Sequence, residues 1–172
     1  MKIIVFGNLA SGKSYLSDKI RNEISNLEYL AVDDFRRKIG DGTMEKEIEA
    51  KQTFLNSIKL DKLQLIEATG LGDTGETIAS ILKEKDELKF IIILKTPLEI
   101  CLERLKSRVW DIPYPAPSKQ AFKLTETTDK LINEKAIQSL WIDAVNCKIL
   151  ELGNLSDNEI EAIIKTLKNE LL

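Results

Sequence analysis

The sequence predicts an α/β fold: a five-stranded parallel sheet with helices on both faces, three layers in all. Three observations predict it. Short apolar-rich runs alternate with amphipathic helical segments from one end of the chain to the other. Such runs suit strands covered on both faces, as in parallel sheets. The glycine-rich stretch Gly7–Ser14 (GNLASGKS) directly follows the first run and opens a helix. No internal repeat, low-complexity segment or linker interrupts the 172 residues, so residues 1–172 read as one domain with a sizeable core.

The elements follow in order. Residues 2–6 are an apolar strand, and 12–26 a helix with Leu16, Ile20 and Ile24 on one face. Tyr29–Val32 is the second strand. The polar, glycine-containing stretch Ile39–Thr43 leads into a helix at 44–60, and Leu63–Ala68 is the third strand. Gly70, Gly72 and Gly75 break the chain before a helix at 75–85. Phe90–Leu94 is the most apolar run, expected to be central in the sheet. Thr96-Pro97-Leu98-Glu99 predicts a helix start with Thr96 as N-cap, Pro97 at N1 and Glu99 at N3, running to 107.

Residues 108–118 carry three of the four prolines and read as a surface loop. A long helix is expected at 118–141 and a strand at Cys147–Leu152. A final helix opens on the capping box Ser156–Glu159, with Ile160, Ile163, Ile164 and Leu167 on its apolar face.

Composition narrows the function classes. Apolar content of 43% and charged content of 31% are those of a globular protein. No apolar run approaches the roughly 18 residues that span a bilayer. The chain opens directly into a strand rather than a signal segment, so a cytoplasmic location and no membrane partner are expected. The net charge of −3 gives no global attraction to nucleic acid. Cys101 and Cys147 sit in apolar patterns and read as reduced, buried thiols. The chain has no histidine, so any general base is a carboxylate, a lysine or water.

The stretch at 7–14 fits G-x-x-x-x-G-K-[ST], a phosphate-binding loop. Its backbone N–H groups would wrap a phosphate at the positive end of the following helix. Glycines let the backbone pass close to the anion. Gly7, Asn8, Leu9, Ala10, Ser11, Gly12, Lys13, Ser14 and Tyr15 are the candidate nucleotide contacts. Lys13 would reach the β- and γ-phosphates, and the Ser14 hydroxyl would hold Mg²⁺.

In parallel sheets ligands bind beyond the carboxyl ends of the strands. There the sequence places Asp33-Asp34 beside Arg36-Arg37, then Glu67, Thr69 and Gly70, then Arg104 and Arg108. A carboxylate such as Asp33, nearest its strand end, can prepare an attacking hydroxyl, and Arg36 can fork onto an acceptor anion. The competing reading is a helix start whose acids complement its dipole. Glu67 ends the third strand and is a candidate for the Mg²⁺ shell, against a solvent-facing glutamate. Arg104 and Arg108, four apart, share a helix face and would neutralise charge on a transferred phosphoryl group, against an ordinary basic helix end. Trp110 and Tyr114 either cover a ligand or anchor their loop.

These residues together resemble the P-loop kinase superfamily, the small kinases related to nucleoside monophosphate, gluconate and shikimate kinases. Most similar is the polynucleotide-kinase and zeta-toxin-like branch. The resemblance is carried by GNLASGKS at 7–14, VDDFRR at 32–37, IEATG at 66–70 and TPLEICLERLKSR at 96–108. It implies a P-loop NTPase fold using ATP and Mg²⁺. It implies Asp33 as general base and Arg36 as acceptor-anion contact, with Thr69 also at the acceptor. It implies Lys13, Arg104 and Arg108 as the cations of the transition state, an acceptor-binding region at 34–60 and a lid at 104–118. Gly153-Asn154 is similar to the loop flanking adenine. The chain departs from that pattern in Leu9 and Ala10, in Glu67 where relatives carry Asp, and in a short lid.

The leading expectation is transfer of the γ-phosphate of ATP to a small-molecule or nucleotide acceptor, by a monomer or homodimer. A 5′-hydroxyl kinase acting on nucleic-acid ends uses the same Asp33 and Arg36 logic and would need a basic channel. A nucleotide-dependent switch or binding module without transfer is a third class. The guanine motif Asn-Lys-x-Asp and an Asp-x-x-Gly turn after the third strand are both missing, which weighs against a GTPase.

Overall fold

Five parallel strands run in the order β2-β3-β1-β4-β5. The structure, a computed structural model, describes residues 1–115, 118–153 and 155–171, without the side chains of residues 118 and 119. The strands are β1 (Lys2–Gly7), β2 (Glu28–Ala31), β3 (Gln64–Ala68), β4 (Lys89–Leu94) and β5 (Cys147–Leu152). The helices are α1 (Lys13–Glu23), α2 (Val32–Ile39), α3 (Met44–Asn56), α4 (Gly72–Leu82), α5 (Leu98–Lys106), α6 (Ser118–Asn133), α7 (Ala136–Leu140) and α8 (Asp157–Asn169). The expected five-stranded parallel sheet with helices on both faces is what the chain forms.

Side chains alternate across the sheet and build two cores. Ile4, Phe6, Ile66, Ile91 and Ile93 pack with Phe54, Ile78, Leu82 and Trp141 on one face. Ile3, Val5, Leu65, Phe90 and Ile92 pack with Leu16, Ile20, Ile160 and Leu167 on the other. Truncating one of these fully buried leucines or isoleucines to alanine removes about 2–5 kcal/mol. The strand-opening lysines are satisfied at the opposite end of the sheet from the site. Lys2 Nζ donates to Glu87 Oε2 and to the Lys62 carbonyl, both at 2.7 Å.

Register levels the strand ends. Phe6 lies opposite Ala68, Ala31 opposite Glu67, and Gly7 opposite Leu94. The loops that follow β1, β2, β3 and β4 therefore emerge on one rim.

Several expectations are corrected. β4 is an interior strand as expected, between β1 and β5, although β1 rather than β4 is the middle one. Both runs are buried on two faces, so hydrophobicity alone does not rank them. Pro97, not Thr96, is the N-cap of α5. The Thr96 hydroxyl instead donates to the Ser11 carbonyl at 2.7 Å, tying β4 to the glycine-rich loop. The helix expected at 118–141 breaks at Lys135, whose φ of 61° ends one helix before α7 begins. The helix expected at 75–85 starts at Gly72, and residues 32–39 form a helix of their own. Cys101 is buried but Cys147 only half-buried. The Ser156 capping box forms as expected.

Candidate active site

The loop between β1 and α1 lines one wall of a cleft of about 1200 Å³ at the rim. Gly12 precedes α1 with φ 97°, and a Cβ there would lie 2.5 Å from Leu155 Cδ1. Asn8 is buried behind the loop rather than facing the cleft. Its amide donates to the Thr125 carbonyl on α6, and its Oδ1 accepts from the Leu9 N–H, both at 2.8 Å. Leu9, Ala10, Ser11, Gly12, Lys13, Ser14 and Tyr15 line the cleft. Ser11 Oγ is buried with no hydrogen-bond partner. An orphan hydroxyl inside a glycine-rich loop at a helix N-terminus fits a phosphate oxygen.

Lys13 Nζ donates to the Asn8 carbonyl at 2.7 Å. Burial lowers its pKa, Glu67 and Asp33 work against that, and Arg108 adds to it. A polyanion in the cleft would reverse the balance by favouring the charged lysine.

Glu67, next to last in β3, is 8% exposed and accepts three hydroxyls. Ser14 Oγ donates to Oε1 at 2.8 Å, and Ser17 Oγ and Tyr29 OH donate to Oε2 at 2.8 and 2.6 Å. A buried carboxylate needs such partners. The donor on Oε1 leaves the Ser14 lone pairs free for a cation. Oxygen donors of this kind suit a hard ion such as Mg²⁺. Among the described residues no group of three carboxylates or thiols forms a metal cage.

Asp33, in the first turn of α2, lines the same cleft as Lys13. Its Oδ1 accepts from Arg36 Nη1 at 2.7 Å, and its Oδ2 lies 3.7 Å from Arg108 Nη2. Arg36 also forks onto Glu47 of α3, Nε to Oε2 at 2.8 Å and Nη2 to Oε1 at 2.6 Å. Burial works to lower the Arg36 pKa, but the bonds to Glu47 and Asp33 outweigh it and hold the guanidinium charged. The Tyr114 ring lies 4.8 Å from the guanidinium. So the arginine expected to meet an acceptor anion is engaged by two carboxylates of its own chain.

Arg104 Nη1 donates to the Ala10 carbonyl at 3.0 Å, and Arg108 lies over the Trp110 ring at 5.4 Å. Both arginines and Thr69 line the same cleft, with Trp110, Ile112 and Tyr114 of the 108–115 loop. Asn154 and residues 116 and 117, parts of the expected adenine loop and lid, lie outside the described residues.

No protein-family model and no curated protein matches the chain. Solved structures do. Shikimate kinase from Acinetobacter baumannii in complex with shikimate is 13% identical over 99% of this chain and 94% of that one, with TM-score 0.62. Deoxyadenosine kinase from M. mycoides with bound dATP is 14% identical over 98% and 100%, with TM-score 0.59. A gluconokinase from Sinorhizobium meliloti is 16% identical over 99% and 94%, with TM-score 0.55. The chain has the P-loop kinase fold.

Within this P-loop kinase fold, sequence reading missed Ser17, Tyr29, Glu47 and the cleft-lining face of α6. Ser17 follows Ser14 by one helical turn, a spacing visible in the sequence. Tyr29 precedes Ala31 by two residues, and Ala31 pairs with Glu67, so Tyr29 and Glu67 share a sheet face. That relation needs the strand order. Glu47 sits on the buried face of α3 with Ala50 and Phe54. A carboxylate at an otherwise apolar helical position was the available signal. Among the described residues no helix is long and apolar enough to cross a membrane.

Proposed function

We propose that the chain transfers the γ-phosphate of ATP to a hydroxyl of a small acceptor. The observation that carries this is one cleft with two built walls. On one stand Lys13 and a Ser14 hydroxyl held by Glu67; on the other stands Asp33, held by Arg36.

The loop N–H groups and Ser11 Oγ would bind phosphate oxygens, and Lys13 would leave the Asn8 carbonyl for the β- and γ-phosphates. Ser14, with Glu67 behind it, would hold Mg²⁺, which supplies neutralisation of phosphate charge. Asp33 would accept the proton of the acceptor hydroxyl while that oxygen bonds to the γ-phosphorus. The bond from phosphorus to the β–γ bridging oxygen breaks, and ADP leaves. Arg104 and Arg108 would spread the charge developing on the transferred group. The 108–115 loop would limit water at the reacting centre.

The test is transfer of labelled γ-phosphate from ATP with Mg²⁺ to a panel of hydroxyl acceptors. The expected result is label on one acceptor class, reduced at least 100-fold in Asp33→Ala and in Lys13→Ala. Labelled acceptor at unchanged rate in both variants, or no binding of ATP to the folded protein, overturns the reading.

A further inference from the structure

We infer that the acceptor is an uncharged hydroxyl compound with a flat ring, of the nucleoside kind, and neither a phosphomonoester nor a carboxylic acid. This deepens the phosphotransfer reading and rests on it.

An acceptor phosphate or carboxylate needs a cation with free donors beside Asp33, and a bidentate arginine is the group best shaped for it. Arg36 occupies that place, but three of its five N–H groups already meet three carboxylate oxygens, two on Glu47 and one on Asp33. Glu47 is 4% exposed and is further paired with Lys51 at 3.2 Å. Arg36, Lys51, Glu47 and Asp33 together carry no net charge. Displacing Glu47 would leave a buried carboxylate with a weaker partner, which is unfavourable.

Among the described residues the cleft's other cations are Lys13, Arg104, Arg108 and Lys123; Arg108 also lies beside Asp33, and the phosphotransfer reading assigns it to the transferred group. Lys13 and Arg104 bond to the carbonyls of Asn8 and Ala10 in the donor loop. Arg108 faces Asp33 Oδ2 and Trp110, and Lys123 occupies an exposed position on α6. The 108–115 loop and α6 line the cleft with Trp110, Ile112, Tyr114 and Leu124, interspersed with the polar Asp111 and Gln120. Trp110 and Tyr114 are 42% and 40% exposed, enough ring surface to stack on a planar group. The cleft exceeds the roughly 300–1,000 Å³ of a single-ligand pocket, leaving room for a second ligand beside the nucleotide.

Trp110 supplies the readout, because the only other tryptophan, Trp141, is buried against Phe6. ATP binding and slow γ-phosphate release to water are measured first. Free nucleosides, their 5′-monophosphates and sugar acids are then titrated against Trp110 fluorescence and assayed as acceptors. The expected result is saturable quenching by at least one nucleoside, with kcat/KM at least tenfold above that of its monophosphate and of every acid. A monophosphate or acid that is the better acceptor, or a lack of response to every nucleoside, overturns the inference. In the first case phosphotransfer itself stands; failure of ATP to bind sinks phosphotransfer instead. Glu47→Gln removes the charge that engages Arg36 and should raise the monophosphate-to-nucleoside ratio at least tenfold. If that variant does not fold, the wild-type panel decides alone.

Discussion

Tyr29 on β2 donates a 2.6 Å hydrogen bond to Glu67, next to last in β3, closing a set of three hydroxyls around one buried carboxylate. Burial, then Glu67, raises the Tyr29 pKa well above the ordinary tyrosine range, so it remains a donor at any pH the fold tolerates. Tyr29→Phe should leave Glu67 held by Ser14 and Ser17 alone, loosening its orientation, and raise the Mg²⁺ concentration for half-maximal activity about 5-fold or more. The stability cost should be about 1 kcal/mol. Mg²⁺ titrations of wild type and variant check this, and an unchanged Mg²⁺ requirement would make Tyr29 a purely structural residue.

Burial depresses the Lys13 pKa in the folded chain, against the opposing pull of Glu67 and Asp33. A lysine whose native pKa lies below its unfolded value destabilises the fold below both, and the penalty fades as pH rises through that window. Lys13→Met should therefore raise the Tm of the nucleotide-free protein at pH 7 by about 2 °C or more while abolishing transfer. In the wild type, ATP binding on the alkaline side should take up protons, since phosphates restore the lysine charge. Calorimetry in buffers of different ionisation heat measures that uptake, which should vanish in the variant.

The Arg36–Glu47 pair predicts acid sensitivity. Burial works to raise the Glu47 pKa, but hydrogen bonds from Arg36 and Lys51 outweigh it and leave the pKa below the ordinary glutamate value. The stability this contributes is present above that ordinary value and lost as pH falls through the lowered one. Glu47→Ala should cost about 3–5 kcal/mol at pH 7, because Arg36 loses its main partner. Urea unfolding at pH 7 and below pH 4 should show the gap between wild type and variant narrowing with acid.

Gly70 has φ 87°, and a Cβ there would lie 2.5 Å from the Phe6 ring. Gly75 is as tight, with a Cβ 2.4 Å from the Gly70 backbone. Alanine at either position should cost about 1–3 kcal/mol from overpacking, more at Gly70 where the backbone is also strained. Thr69 precedes Gly70, so Gly70→Ala should also raise the acceptor KM. Thermal melts and acceptor titrations of both variants test the two effects separately.

The architecture and the local geometry of the glycine-rich loop were legible in the residues alone. Apolar runs of strand length predict buried parallel strands because both faces must be covered. The spacing of Gly7, Gly12, Lys13 and Ser14 specifies one loop geometry, since its contacts are local in the chain. β5 and the Ser156 cap were legible for the same reason: their signals lie within a few residues. The partners of the charged groups were decided only by tertiary structure. Thr96 reads locally as a helix cap, yet its hydroxyl bonds Ser11, 85 residues away. Arg36 reads as a free fork until α3 brings Glu47 against it, and Glu67 finds Tyr29 only because β2 and β3 are neighbours. A buried charge takes whichever partner packing brings within about 3 Å, and that choice depends on strand order and helix placement, which residue patterns do not encode.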